Sequence, residues 1–124
     1  MRLIWCNAGY EAAGVVARIG QHSAALDLLL HSMDVREAIF VGAWNPRGRK
    51  VALGINLRME ARLVEFAARP PARRGKGFGP GWSESHLLLG VRKRRGIVIA
   101  RRFRQAAIVM VRRGQPPKLI FIPV

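Results

Sequence analysis

The chain has 124 residues, half of them hydrophobic, and its 22 lysines and arginines against 7 acidic residues give a formal net charge of +15. This length suffices for one domain with its own core, and no apolar run reaches the ~18 residues that a membrane helix needs. We therefore expect a single domain over residues 1–124 without a membrane segment. The only cysteine, Cys6, cannot form an internal disulfide, which is typical of a cytoplasmic protein.

The positive charge is concentrated in the second part of the chain. Residues 1–68 carry 8 cations and 6 anions, whereas residues 69–124 carry 14 cations and one anion, Glu84. Such asymmetry favours a polyanionic partner. A G+C-rich genome can inflate the 18 arginines without selection for binding, but it would not remove the acids. Nucleic acid or another polyanion is therefore the expected partner.

The first half of the chain predicts strands and helices in alternation. Residues 12–19 form an apolar, β-branched stretch that predicts a strand. Residues 22–33 have leucines at helical spacing behind Ser23, a plausible helix cap. Residues 36–44 predict a largely apolar strand, and residues 52–68 predict a helix that stops before a Pro-Pro pair.

The second half begins with a stretch rich in glycine, proline and arginine, residues 69–81, which predicts a flexible loop. Residues 82–91 predict a strand. Residues 92–104 are ambiguous, because their β-branched residues favour a strand while their length and apolar spacing allow a helix. Residues 106–111 and 118–122 predict two further strands joined by a turn.

Several stretches together resemble a known bacterial family. They are "AIFVGAWNP" (38–46), Asn56 in the following helix, "GKGFGPGWSESHLLLG" (75–90) and "RRFRQAAIVMV" (101–111). In order and spacing, over about residues 10–112, they resemble the domain of unknown function three-two-nine-three. The resemblance implies no established activity, but it implies a helix at 93–104. The residues that it picks out are Trp44, Asn45, Pro46, Asn56, Trp82, Glu84, Ser85, Phe103 and Gln105.

The chain departs from the family pattern at four of its positions. Gly42 stands where the family commonly has threonine, and Gly79 where an acid often precedes the proline. His86 replaces an apolar residue, and Arg104 replaces a glycine. If the missing threonine and acid do chemistry in relatives, the resemblance implies that this chain binds a ligand without turning it over.

Three cations precede the helix at 52–68, although a helix start carries partial positive charge and favours acids. They are Arg47, Arg49 and Lys50, and no Ser, Thr, Asp or Asn between them and Leu53 caps the helix. Uncapped amides beside cations predict an anion-binding site that a phosphate or carboxylate would complete. The alternative is that water and loop backbone satisfy the amides while the cations extend into solvent.

Four polar residues, Asn45, Asn56, Glu84 and Gln105, are candidates for one pocket. They meet only if strands 82–91 and 106–111 both run antiparallel to strand 36–44, so that the starts of the first two lie beside the end of the third. We predict this antiparallel arrangement, and with it a polar pocket for a phosphorylated or carboxylated compound.

Each pocket candidate also has a structural interpretation. Asn56 would hold the turn in place, and Gln105 would close backbone groups left by a helix end. Glu84 would pair with an arginine, and nearby cations should keep it ionised. His86 shares a strand face with Glu84, but we do not count it as a pocket residue because the family pattern is apolar there.

A separate set of cations predicts a surface that contacts nucleic-acid phosphates without strong sequence readout. Phe78 and Trp82 lie among these cations and could stack on bases. The alternative is a flexible loop and a solvated helix face. The residues are Arg73, Arg74, Lys76, Arg94, Arg95, Arg101 and Arg102.

Recognisable catalytic and cofactor motifs are absent from the sequence. The three histidines have no metal-ligand spacing with one another or with Cys6, and no Walker motif, G-x-S-x-G or dinucleotide fingerprint occurs. We therefore expect no metal and no cofactor, and we leave open whether the protein is an enzyme.

These observations predict one small α/β domain with a mixed sheet, helices packed on it, and the element order β-α-β-α-β-α-β-β. The first functional hypothesis is a basic protein that binds nucleic acid or another polyanion. The second is an enzyme or an enzyme-derived ligand binder that uses the polar pocket. The third is an adaptor whose arginines meet an acidic protein. The sequence leaves the oligomeric state open.

Overall fold

The computed structural model describes residues 2–123, and their backbone forms seven strands and four helices. The strands are β1 (Gly9–Ala12), β2 (Val15–Arg18), β3 (Glu37–Gly42), β4 (Ala72–Gly79), β5 (Trp82–Leu89), β6 (Ala107–Arg112) and β7 (Lys118–Phe121). The helices are α1 (Arg2–Cys6), α2 (Ala24–Ser32), α3 (Leu53–Phe66) and α4 (Lys93–Arg102), with a single 3-10 turn at Pro46–Gly48.

The strands form one sheet in the order β2-β1-β4-β5-β3-β6-β7. The predicted α/β domain and its order of elements are confirmed. The sheet is antiparallel at every neighbouring pair between residues 2 and 123, so the parallel pairing implied by a mixed sheet is not found there. A parallel pair usually consists of two strands joined through a helix, and in this sheet strands joined in that way are not neighbours. Neighbouring strands that follow each other directly in the chain form hairpins, which are antiparallel.

Two predicted segments have a different structure. Residues 12–19, predicted as one strand, contain the end of β1, a turn at Ala13 and Gly14 with positive φ, and β2. Residues 69–81, predicted as a flexible loop, are mostly strand β4, followed by the turn into β5.

The glycines of β4 explain why its composition was misleading. A Cβ at Gly77 would lie 2.7 Å from Cε1 of His86, and one at Gly79 would clash with the indole of Trp82. A Cβ at Gly75 would clash with the carbonyl oxygen of Glu11 on β1. These glycines therefore admit neighbouring groups against a paired strand rather than provide loop flexibility.

Helices cover both faces of the sheet. Helix α2 packs on one face through Leu26, Leu29 and Leu30, and the amide of Leu26 donates to Oγ of the predicted cap, Ser23, at 3.2 Å. Helices α3 and α4 pack on the other face through residues such as Leu63 and Ile99. Helix α4 confirms the helical structure that the family resemblance implied for residues 93–104.

Strand direction decides where the candidate residues lie. Both β5 and β6 run antiparallel to β3, as predicted. The starts of β5 and β6 therefore lie beside the end of β3, which is the edge of the sheet where the chain enters the turn at Asn45. This arrangement brings motifs that are distant in sequence to one end of the domain.

Candidate functional site

A cavity of about 560 Å³ opens at this end of the sheet, and we call it the pocket. All three tryptophans of the chain and its single tyrosine line it. Helix α1 contributes Trp5, whose carbonyl oxygen accepts a 2.7 Å hydrogen bond from the hydroxyl of Tyr10 on β1. Trp44 follows β3, and Trp82 begins β5. The pocket therefore has several aromatic side chains in its walls, and they come from elements distributed along the chain.

Asn45 is the centre of a hydrogen-bond network at the pocket wall. Its backbone amide donates to Oδ1 of Asn56 at 2.9 Å, and its Nδ2 donates to Oε2 of Glu84 at 2.6 Å. Its Oδ1 accepts from Nδ2 of Asn56 and from the amide of Val51, both at 3.1 Å. Asn45 has φ of 46°, a left-handed conformation that asparagine tolerates better than most residues. The network joins the end of β3, the start of α3 and β5.

Gln105 closes the adjacent corner. Its Nε2 donates to the carbonyl oxygens of Trp44 and Phe103, both at 3.1 Å, so it satisfies backbone groups at the end of α4 and of β3, as its structural interpretation predicted. Asn45, Asn56, Glu84 and Gln105 all line the pocket. The structure therefore brings the four predicted pocket residues together.

Glu84 differs from its predicted electrostatic state. Burial raises the pKa of its carboxyl group, and the hydrogen bond from Asn45 opposes that shift only in part. Among the described residues no lysine or arginine forms an ion pair with it. The expectation that cations hold Glu84 ionised is wrong, because burial dominates its pKa and no described cation is close enough to pair with it. Its other carboxyl oxygen has no hydrogen-bond partner in the described part of the chain and remains available to a ligand.

His86 is a pocket residue that the sequence interpretation set aside. Its side chain lies on the same face of β5 as Glu84 and lines the pocket. The imidazole occupies a slot between two strands: a Cβ at Gly42 on β3 would lie 2.6 Å from Cδ2, and one at Gly77 on β4 would lie 2.7 Å from Cε1. The ring packs nearly parallel to Tyr10, with centroids 6.1 Å apart and an interplanar angle of 12°.

The environment of His86 keeps its imidazole neutral. Burial lowers the pKa of this side chain to about 4, so it carries no charge at neutral pH. Its Nδ1 is buried and has no hydrogen-bond partner within residues 2–123. The signal that could have identified His86 is the pair of glycines on the strands flanking it, but that signal is readable only when the strand register is known.

The start of α3 lies at the rim of the pocket. Helix α3 has no side-chain cap at Ala52, as predicted, and the amides of Leu53 and Gly54 donate to no acceptor in the described part of the chain. Of the three predicted anion-binding cations, Lys50 lines the pocket, whereas the exposed Arg47 and Arg49 lie outside its lining.

A known family matches the middle part of the chain, where much of the pocket wall lies. A family model described as "Protein of unknown function (DUF3293)" matches residues 41–108. The chain belongs to the DUF3293 family. The match runs from the end of β3 to the start of β6, and so includes the Asn45 network, Glu84 and Gln105. No curated protein and no solved structure matches this DUF3293 protein. Its function must therefore be argued from its own residues.

The predicted nucleic-acid-binding cations of this DUF3293 protein divide between the two faces of the sheet. Arg74 and Lys76 lie on the face that carries α3 and α4, because they pair across the strands with Leu87 and Ser85. Arg73 pairs with Leu88 and lies on the opposite face, with its Nη1 donating to the carbonyl oxygen of Ala72 at 2.8 Å. Because successive side chains of a strand point to opposite faces of the sheet, Arg73 and Arg74 lie on different faces although they are adjacent in sequence.

Cations flank an aromatic ring at two places on the α3/α4 side. Lys76 Nζ lies 5.6 Å and Arg18 Cζ 5.8 Å from the centroid of Phe78. Arg102 Cζ lies 4.4 Å and Arg95 Cζ 5.2 Å from the centroid of Phe66. Arg18 was not among the predicted residues, because β2 is distant from β4 in sequence.

The remaining arginines of α4, Arg94 and Arg101, are exposed and lie one position before the pair at Phe66, about 100° away around the helix. We call the set on this side of the sheet the basic surface. It consists of Arg18, Arg74, Lys76, Arg94, Arg95, Arg101 and Arg102. Trp82, which was expected beside bases, lines the pocket instead.

No group of three or more histidine, cysteine, aspartate or glutamate side chains between residues 2 and 123 could hold a metal ion. No helix in that range is long and apolar enough to cross a membrane.

Proposed function

We propose that this is a small cytoplasmic protein that binds nucleic acid or another polyanion through the basic surface. The observation that carries the proposal is the arrangement of cations in pairs around Phe66 and Phe78 on one side of the sheet. Phosphate contacts from arginine and lysine supply most of the affinity of non-specific binding, and aromatic rings among them offer stacking surfaces to bases.

The acids near the basic surface leave most of its charge uncompensated. In the described residues the only ion pair of this surface joins Arg74 to Glu60, with 3.8 Å between Nη1 and Oε2, and the arginine side chain is 71% exposed. Glu11 lies across from Lys76 on β1, but its Oε2 accepts a 2.8 Å hydrogen bond from the amide of Gly14. An ion pair this exposed contributes little stability, so a phosphate can replace the carboxylate at small cost.

The test is fluorescence-anisotropy binding to single-stranded DNA, duplex DNA and RNA over a salt series. The proposal expects log affinity to fall with log salt at about 0.9 per neutralised phosphate for duplex and about 0.7 for single strands. A variant with Arg94, Arg95, Arg101 and Arg102 all changed to glutamine should lose binding. Glu84→Gln, which alters the pocket and leaves the basic surface intact, is the matched control.

Two results overturn the proposal. One is the absence of binding to all three polymers near physiological salt, which would direct the search to an acidic protein surface. The other is a loss of binding in Glu84→Gln as large as that in the arginine variant, which would place the interaction in the pocket.

A second candidate function is supported by the pocket itself. The convergence of Asn45, Asn56, Glu84 and Gln105 on one aromatic cavity favours a small-ligand binder or an enzyme derived from one. This function predicts the opposite pattern, in which ligand binding is lost in Glu84→Gln and retained when the α4 arginines are replaced.

A further inference from the structure

The polar groups of the pocket fall into two classes. Asn45, Asn56 and Gln105 direct their side chains to one another and to backbone groups, so they build the wall. Glu84 engages one carboxyl oxygen with Asn45 and keeps the other free, and His86 has a buried Nδ1 without a partner among residues 2–123. On β5 the groups that retain hydrogen-bonding capacity are therefore Glu84 and His86, neighbours on one face of the strand.

The slot around His86 holds an imidazole where an apolar side chain would be favoured. A buried polar atom without a hydrogen bond is unfavourable and rare in native structures. The ring is nevertheless accommodated closely, since both Gly42 and Gly77 leave the space that it fills. A ligand that hydrogen-bonds the ring from the pocket side would account for a histidine in this slot.

The chemistry of these two groups favours a ligand that donates hydrogen bonds. Glu84 has no lysine or arginine partner in the described residues, and its free oxygen is an acceptor. The neutral imidazole of His86 adds an acceptor or a donor, according to its tautomer. Walls formed by Trp5, Trp44 and Trp82 favour a planar ring, and about 560 Å³ is the size of an ordinary small-molecule site.

The rim of the pocket has the opposite charge. Lys50 is exposed and lines the pocket, and the amides of Leu53 and Gly54 at the start of α3 have no acceptor within the described chain. A helix start of this kind favours an anionic group. The pocket thus has acceptors on β5 and an anion-binding rim, and it suits a ligand with a donor-bearing ring at one end and an anion at the other.

We propose that the pocket binds a nucleotide: a planar nitrogen heterocycle whose N–H groups meet Glu84 and His86, with its phosphate at Lys50 and the start of α3. The inference rests on the second candidate function and does not depend on the basic surface. The same chemistry is offered by a free mononucleotide and by the terminal nucleotide of a strand. Bases with an exocyclic amino group should bind more tightly than uracil, because a carboxylate accepts from that group.

The experiment is calorimetric titration with the monophosphates of guanosine, adenosine, cytidine and uridine, the parent nucleosides, and inorganic phosphate alone. The indole N–H resonances of the three tryptophans report whether binding occurs in the pocket. The amino-bearing monophosphates should bind saturably and at least about tenfold more tightly than uridine monophosphate. Each monophosphate should also bind more tightly than its nucleoside, and Lys50→Gln should remove that difference.

Variants separate the pocket from the basic surface. Glu84→Gln and His86→Leu should each weaken binding of the amino-bearing monophosphates by about tenfold or more, while Arg94→Gln with Arg101→Gln leaves it unchanged. Competition identifies the source: an oligonucleotide that displaces the mononucleotide indicates a strand end, and one that does not indicates a free nucleotide.

Three outcomes overturn the inference: no saturable binding by any of the monophosphates, equal affinity for phosphate alone, or a loss in the α4 double variant equal to that in Glu84→Gln. Failure of polymer binding in the anisotropy experiment would leave this inference standing, because the two experiments use different ligands and test binding at different residues.

Discussion

The pocket and the basic surface use polar residues in contrasting ways. In the pocket, amides and one carboxyl group are hydrogen-bonded to each other among aromatic walls, and burial shifts the pKa values of Glu84 and His86. On the basic surface the cations are exposed and lie beside rings, with one ion pair between Arg74 and Glu60 in the described chain. The pocket is therefore preorganised by short-range contacts, whereas the surface acts through charge that salt can screen.

In the pocket, burial has a larger effect on the pKa of a side chain than the charges near it in sequence. Glu84 is the single acid among residues 69–124, yet burial rather than its cationic neighbours in sequence dominates its pKa. Position in the fold, not composition, sets the electrostatics of each region.

The largest expected effect is at the centre of the pocket network. Asn45→Ala removes hydrogen bonds to Glu84, Asn56 and the amide of Val51, and it places alanine at a φ of 46°. We expect the free energy of unfolding to fall by about 4 kcal/mol, because a buried carboxyl group and a backbone amide lose their partners. Urea denaturation measures it. Asn45→Gly, which accepts the positive φ, should recover only the backbone part of the loss.

Asn7→Ala is the matched control for Asn45→Ala, since Asn7 is exposed. It should change the free energy of unfolding by less than about 0.5 kcal/mol. If Asn45→Ala changed the free energy of unfolding as little as Asn7→Ala, the hydrogen-bond network would not stabilise the fold. The contrast between a preorganised pocket and an exposed basic surface would then weaken.

The next effect is the dependence of stability on pH that His86 contributes from the pocket. The pKa of His86 is lowered from 6.5 to about 4 in the folded protein, so between these values the unfolded state binds more protons. Stability should therefore rise as the pH increases through this window and fall as the pH decreases, by about 3 kcal/mol for the full shift. Unfolding free energies measured from pH 4 to 7 should show this slope. His86→Leu should remove the contribution of the imidazole and leave that of Glu84, whose raised pKa makes stability fall as the pH increases.

His31 provides the control for this dependence, because it is exposed at the end of α2. His31→Gln should keep the slope of the unmodified protein. If stability rose with pH as steeply in His86→Leu as in the unmodified protein, other groups would produce the rise and the imidazole would not be held neutral by burial.

A smaller effect tests whether the glycine slot is specific to the imidazole. Gly42→Ala places a Cβ 2.6 Å from Cδ2 of His86, and Gly77→Ala places one 2.7 Å from Cε1. Each should reduce the free energy of unfolding by about 2 kcal/mol through overpacking. Adding His86→Ala should relieve most of the strain, so a double-mutant cycle should give a coupling of about 1–2 kcal/mol.

Gly54→Ala is the control for the glycine slot, since a Cβ there meets nothing within 4 Å and the residue lies in α3. It should be neutral or stabilising. Additive effects of Gly42→Ala and His86→Ala would show that the strand, and not the ring, requires glycine at this position.

Much of the fold and the pocket could be predicted because the informative residues lie at element boundaries. Asn45 follows the apolar strand β3, Glu84 lies near the start of β5, and Gln105 separates a helix from a strand. With the antiparallel direction assumed, these boundaries meet at one edge, as the structure shows. Ser23 likewise marks a helix start by local chemistry alone.

The parts that could not be predicted depend on contacts between distant strands. Gly75 and Gly77 belong to a stretch whose composition is typical of a loop. Glycine is required at these two positions because β1 and the His86 ring approach the backbone closely. Whether Arg73 lies beside Arg74 or on the other face depends on β4 being a strand. Arg18 reaches Phe78 from β2, a contact that no local pattern contains.

The smallest expected effect tests the basic surface by the alternation of β4. Lys76 lies on the α3/α4 side beside Phe78, whereas Arg73 lies on the opposite face of the same strand. If the basic surface binds phosphates, Lys76→Gln should reduce the slope of log affinity against log salt by about one contact, and Arg73→Gln should leave it unchanged. Anisotropy titrations of both variants against one oligonucleotide measure the slopes. Equal reductions would mean that the polymer responds to net charge alone, since both variants lose one charge and differ only in the face that loses it.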